Sequence, residues 1–197
     1  PWQSRRRSSP IVVTSGSMLT GTSYNGAQTG WLLILDIQAD ALARFNSFEC
    51  GWDRGFVRVD GVLDVAGDCT IVASWSPTGA SNHLGWYSDR GLVRAGGLVK
   101  TGMARSMLFT PRYEIGAGGV RSPNNECFVV TNGHPVTVTA TADMGFSKGT
   151  NHSAQVVNVY NGVALMLNLD GHTVTNVNLV GGGGTLAVTG VGTAQYN

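Results

Sequence analysis

The sequence predicts an all-β protein, a single jelly roll built as an eight-stranded antiparallel β-sandwich with one or two short helices in its loops. Three observations predict it. Apolar and polar residues alternate over most of the chain, turn-forming Gly, Asn, Asp and Pro separate the alternating runs, and charged residues make up only 13 % while Gly reaches 28 of 197. Alternation sends successive side chains to opposite faces of a strand, one of them toward a core. Short strands at such spacing point to a sandwich or barrel.

Taken in order, the runs that read as strands are 10–19, 30–37, 55–65, 69–75, 91–100, 105–111, 136–142, 162–169 and 185–191. In 69–75 one face is Cys69, Ile71, Ala73 and Trp75; in 136–142 it is Val136, Val138, Ala140 and Ala142, against Thr137, Thr139 and Thr141. Two segments read as helical. Residues 39–45 combine Ala and Leu with Asp40 as an N-cap, and 81–89 fit a turn or two. The run Gly181 to Gly184 interrupts the last strand pattern, so 178–197 is expected to be an extension or an extra strand.

At 197 residues the chain can bury one substantial core. The organisation expected is a flexible basic arm over 1–10, a shell domain over 11–177 and the C-terminal piece 178–197. The longest apolar run, Trp31 to Leu35, is far shorter than a membrane span, and no charged-then-apolar leader opens the chain, so a soluble cytosolic protein is expected. Cys50, Cys69 and Cys127 are widely spaced and odd in number, which suggests reduced buried thiols rather than disulfides or zinc.

Charge is distributed unevenly. Arg5, Arg6 and Arg7 sit in a polar tail that lacks the apolar area to fold, and they read as an arm seeking polyanions. The remaining residues, 8–197, carry 10 basic and 12 acidic side chains. Within them, 36–89 hold three basic and eight acidic groups, whereas 90–121 hold six basic groups and one acid. Arg90, Arg94, Lys100, Arg105, Arg112 and Arg121 therefore either form a second polyanion-facing surface or scatter and pair with acids of neighbouring strands. The scarcity of charge also suits a surface covered by copies of itself.

Chemistry has little support. The segment Gly145-Phe146-Ser147-Lys148-Gly149 matches the G-x-S-x-G pattern, with Asp170 and His172 downstream, but the strand-turn-helix context of a nucleophile elbow is missing. His83, His134, His152 and His172 do not cluster at ligand spacing. Asp60, Asp64 and Asp68 flank turns, where they cap amides or, less readily, gather a divalent cation. Asn151-His152-Ser153 is a glycosylation sequon without a leader to expose it to that chemistry.

The order of elements resembles the coat proteins of small icosahedral positive-strand RNA viruses, most closely the tymovirus type. The resemblance runs over about residues 9–176. It is carried by Ser9-Pro10-Ile11-Val12-Val13, by Phe56-Val57-Arg58-Val59, by the small-residue strand Cys69 to Trp75 ending in Ser76-Pro77, by Arg90 to Gly97, and by Leu108-Phe109-Thr110-Pro111. The arginine-rich arm and residues 178–197 depart from the tymovirus pattern, so a sobemovirus-like or satellite coat stays open. The resemblance implies a non-enzymatic plant-virus capsid subunit that self-assembles into a T=3 icosahedral shell in the host cytoplasm. Arg5, Arg6 and Arg7 would then bind single-stranded genomic RNA, with no required cofactor and with polyamines or divalent cations accompanying the RNA. His172 would face the interior. The alternatives are a non-viral carbohydrate- or receptor-binding β-sandwich and, more remotely, a serine hydrolase using Ser147.

Overall fold

In the computed structural model the described residues are 10–28, 32–52, 55–73, 82–84, 90–124, 127–131, 135–150 and 155–197. About two thirds of them are strand, as the alternation requires, but the strands pair in parallel. The chain is a β-solenoid. The expected antiparallel jelly roll is therefore corrected, and so is its count of eight strands.

Nineteen strands are described. The first sheet stacks β1 (Ile11–Val13), β3 (Leu32–Ile37), β5 (Gly55–Val59), β7 (Asn82–Leu84), β9 (Ser106–Leu108), β11 (Phe128–Val130), β14 (Val157–Val159) and β17 (Val180–Gly182). The second stacks β2 (Met18–Gln28), β4 (Leu42–Trp52), β6 (Val62–Ala73), β8 (Leu92–Thr101), β10 (Arg112–Ser122), β12 (Val136–Ala140), β15 (Ala164–Asn168) and β18 (Thr185–Thr189). Up to β12 each strand lies beside the one two places along the chain, and beyond it β11, β14 and β17, like β12, β15 and β18, step by three, so the polypeptide circles from one sheet to the other and climbs one rung per turn. A jelly roll would instead reverse direction between neighbours. Alternation cannot tell the two apart, because a half-buried strand has period two whichever way its neighbour runs.

What separates the architectures is the corner. Between β5 and β6 only Asp60 and Gly61 intervene, and the chain bends without reversing. The corners also bond to each other up the stack: Val62 N–H donates to Ala41 O at 2.9 Å and Leu92 N–H to Gly61 O at 3.0 Å. Glycine is needed here for close approach. A Cβ on Gly61 would strike the Ala41 and Gln38 carbonyls, and one on Gly91 the Val59 carbonyl.

The core lies between the sheets in columns of equivalent residues. In the second sheet one column is Ala43, Leu63, Val93, Tyr113, Val138 and Leu167, all buried. Another runs Tyr24, Phe48, Cys69, Leu98, Val120 and Phe146. Full burial of side chains of this size contributes about 1.5–3 kcal/mol each, distributed along the axis rather than gathered in one centre.

The second sheet bends as it climbs. Its ladder shifts register between Phe45 and Phe48, between Val65 and Asp68, and between Ile115 and Gly119. Above β10 the bend becomes a full corner. There β12 continues the first half of β10, while β13 (Met144–Lys148) pairs with its second half and starts a third sheet with β16 (Thr173–Thr175) and β19 (Thr193–Ala194). Residues 178–197, expected as an extension or an extra strand, supply β17, β18 and β19 in the last turn of the solenoid.

The helix expected over 39–45 is also corrected. Asp40 takes a left-handed φ of 60°, Ala41 N–H closes a tight turn on Gln38 O, and β4 begins at Leu42. Ala41, Ala43 and Phe45 are buried at period two, so packing overrides the helical propensity of an Ala/Leu run. Of the second expected helix, 82–84 form β7, and 81 and 85–89 lie outside the described residues. Among the described residues no helix is long and apolar enough to cross a membrane.

Candidate anion-binding groove

On the outside of the second sheet, two columns of side chains stand two residues apart. One is Leu42, Val62, Leu92 and Arg112; the other is Arg44, Asp64, Arg94 and Glu114. Both come from the alternation that buries Ala43, Leu63, Val93 and Tyr113 between them. The corner residues Asp40 and Ala41 on one rung, Asp60 and Gly61 on the next, and Arg90 above them wall the columns. Of the two columns Leu42, Val62, Arg112, Arg44 and Arg94 join these corner residues in lining a groove of about 530 Å³, within the range of small-ligand sites.

Its electrostatics follow from the ladder. Arg44 Nε bonds Asp64 Oδ2 at 2.8 Å and Arg94 Nε bonds Glu114 Oε2 at 2.7 Å, so the outer column alternates in sign from rung to rung. Asp60 is held from the first sheet, where Arg58 Nη2 lies 2.7 Å from its Oδ2, and Arg58 Nε is 3.8 Å from Asp36 Oδ1. Arg112 differs. Its Nη2 donates to the Arg90 carbonyl at 2.9 Å, and among the described residues no carboxylate pairs with it. The carboxylate of Asp40 likewise has no ion-pair partner among the described residues.

The basic cluster expected over 90–121 therefore divides. Arg90, Arg94 and Arg112 converge on the groove. Arg121 Nη2 instead pairs with Asp68 Oδ1 at 2.5 Å, Arg105 Nη1 donates to the Tyr160 hydroxyl at 2.7 Å, and Lys100 is fully buried with Nζ donating to Gly102 O at 2.9 Å. The acids Asp60, Asp64 and Asp68 are each engaged by a different arginine. Among the described residues no group of three or more His, Cys, Asp or Glu could hold a metal ion.

Other expected residues do not meet. Arg5, Arg6 and Arg7 lie outside the described residues, as do His134 and the sequon at 151–153; of His83 only its place on β7 is described. Met144 pairs with Val174 and Gly145 with Thr175, the last residue of β16, whereas Ser147 pairs with Arg121 of β10. Asn176 leaves the strand with a left-handed φ of 57°, and His172 precedes the other end of β16. His172 sits instead with Nδ1 3.7 Å from Asp143 Oδ1, which accepts the Thr173 N–H at 2.8 Å. Asp170 is an exposed turn residue with φ 47°. No Ser-His-Asp constellation forms from these three. Cys50, Cys69 and Cys127 are buried and form no disulfide. Burial, with a contribution from nearby Asp68, pushes the Cys69 thiol up to about 12, and burial raises Cys50 as well.

What sequence reasoning missed is that Asp40, Arg44, Arg94 and Arg112 belong together. A signal was present in the near-repeat of Gly61-Val62-Leu63-Asp64-Val65-Ala66-Gly67 by Gly91-Leu92-Val93-Arg94-Ala95-Gly96-Gly97. No family model, curated protein or solved structure matches the chain.

Proposed function

We propose that the chain is a binding module whose groove on the second sheet holds an anionic ligand. The observation that carries this is Arg112, a guanidinium without a carboxylate partner among the described residues, set in a groove that Arg44, Arg90 and Arg94 also line. Arginine suits the task because its planar fork of donors grips a carboxylate, sulfate or phosphate in two bonds. The RNA-packaging coat expected from the order of elements leaned on a jelly roll that the solenoid replaces, so the groove and not the arm carries the proposal.

Retention on an immobilised sulfated polysaccharide tests it, with elution by salt. Arg112→Gln is expected to elute at lower salt than the parent, and a variant with Arg5, Arg6 and Arg7 all changed to Ala is expected to keep most of the parent's retention. Equal elution of Arg112→Gln and the parent overturns the proposal. Loss of retention on changing the three arm arginines alone transfers the function to the arm.

A further inference from the structure

Resting on that reading of the groove, the geometry points to a linear acidic saccharide, one bearing carboxylates and free hydroxyls, as the ligand. Polyphosphates and nucleic acids fit less well. The lining holds both signs of charge. Arg112 offers donors, while Asp40 offers a carboxylate with no ion-pair partner among the described residues. An ionised carboxylate only accepts hydrogen bonds, so a ligand that satisfies Asp40 must bring donors of its own. A phosphate chain brings acceptors and negative charge and is repelled at that end. A sugar acid brings both: its carboxylate meets Arg112, Arg94 or Arg44, and its hydroxyls donate to Asp40.

The floor supports the same choice. Leu42 and Val62 present half-buried aliphatic surface between the charged walls, which suits the C–H faces of sugar rings. Among the described residues none that lines the groove is aromatic, so they supply no platform on which unpaired bases stack. Length then separates a monosaccharide from an oligomer. From Leu42 to Arg112 the column climbs three strand spacings, about 14 Å at roughly 4.8 Å each. Asp40 belongs to the lowest of those rungs and Arg112 to the highest. One sugar cannot reach both, whereas a short linear oligomer lying along the solenoid axis can.

Titration calorimetry on the full chain tests this with four probes: a trigalacturonate, a neutral trisaccharide of the same length, inorganic polyphosphate and a poly-glutamate peptide. The trigalacturonate is expected to bind at least about ten-fold more tightly than the other three, which corresponds to one charge-assisted hydrogen bond. Arg112→Gln and Arg90→Gln are each expected to weaken it, with melting temperatures confirming that the variants fold. Asp40→Asn provides a readout of opposite sign, weakening the uronate and strengthening polyphosphate. If polyphosphate or poly-glutamate binds as tightly as the uronate with the same dependence on Arg112, the saccharide assignment is overturned and the anion groove stands. If the neutral sugar binds equally well, the assignment falls because the carboxylate is not being read. If none of the anions responds to Arg112→Gln, the groove reading itself fails.

Discussion

Arg94 and Glu114 stand 20 positions apart in the chain but side by side on adjacent rungs, Nε to Oε2 at 2.7 Å, and the pair borders the groove. Both side chains are partly exposed, so the pair adds little stability, about 0.2–1 kcal/mol, and less in high salt. Its larger effect is on the ligand. Glu114→Gln releases the Arg94 guanidinium and removes a negative charge, so affinity for an anion is expected to rise while the melting temperature changes little. Arg94→Gln is expected to lower affinity. Parallel titrations of the two variants check the opposed signs, which two unrelated surface residues would not give.

Inside the solenoid, Tyr24 and Phe48 stack with ring centroids 4.9 Å apart and planes 9° from parallel, and Phe45 tilts against both. Phe48 is 1 % exposed. Phe48→Ala removes the buried ring of this three-ring cluster and is expected to cost about 3–5 kcal/mol, measured by denaturant unfolding. Because rungs contact only their neighbours, the loss is expected to appear first in the turns holding β2, β4 and β6. Hydrogen exchange should show amides there opening before those of β15 and β18.

Alkaline pH tests the burial of Cys69. Its thiol is pushed from an ordinary 9.0 to about 12, chiefly by burial. The folded state therefore holds the proton where the unfolded chain releases it. Stability from this group is fully present below about pH 9 and is lost as pH rises toward 12, by about 1.4 kcal/mol per pH unit. Cys50 shifts in the same direction for the same leading reason. Unfolding titrations at pH 8, 9.5 and 11 should show stability falling with pH, and Cys69→Ala should flatten that slope. Alkylation of the folded protein at pH 8 should be slow at both positions.

Much of the fold was legible in the sequence and its topology was not. Val136, Val138 and Ala140 announced a strand with one buried face, and they form β12 with that face inward. Nothing in their alternation says which strand lies beside them or in which direction. That information is carried by the corners, where Gly61 and Gly91 permit stacked turns, and by the repeat of the rungs, which is irregular. Leu42 to Val62 and Leu92 to Arg112 are steps of 20 residues, whereas Val62 to Leu92 is a step of 30. Insertions at the corners leave the ladder intact but blur the period by which a solenoid is recognised. The groove was hidden for the same reason. Asp40, Arg44, Arg94 and Arg112 are brought together by the register, and only the matching Gly61 to Gly67 and Gly91 to Gly97 segments hint at it.

Everything proposed for the groove depends on these strands being successive rungs of one column, and distances along that column test it directly. Thr20, Thr139 and Thr189 occupy the same position on the first, sixth and eighth rungs of the second sheet. At about 4.8 Å per rung, Thr20 to Thr139 should be about 24 Å and Thr20 to Thr189 about 34 Å. Spin labels on cysteines placed at these threonines, read by pulsed dipolar spectroscopy, should show the distance growing by about two rungs, roughly 10 Å, from the first pair to the second. A Thr20 to Thr189 distance no longer than that from Thr20 to Thr139 would mean that the strands fold back on one another, and would contradict the solenoid and the groove built on it.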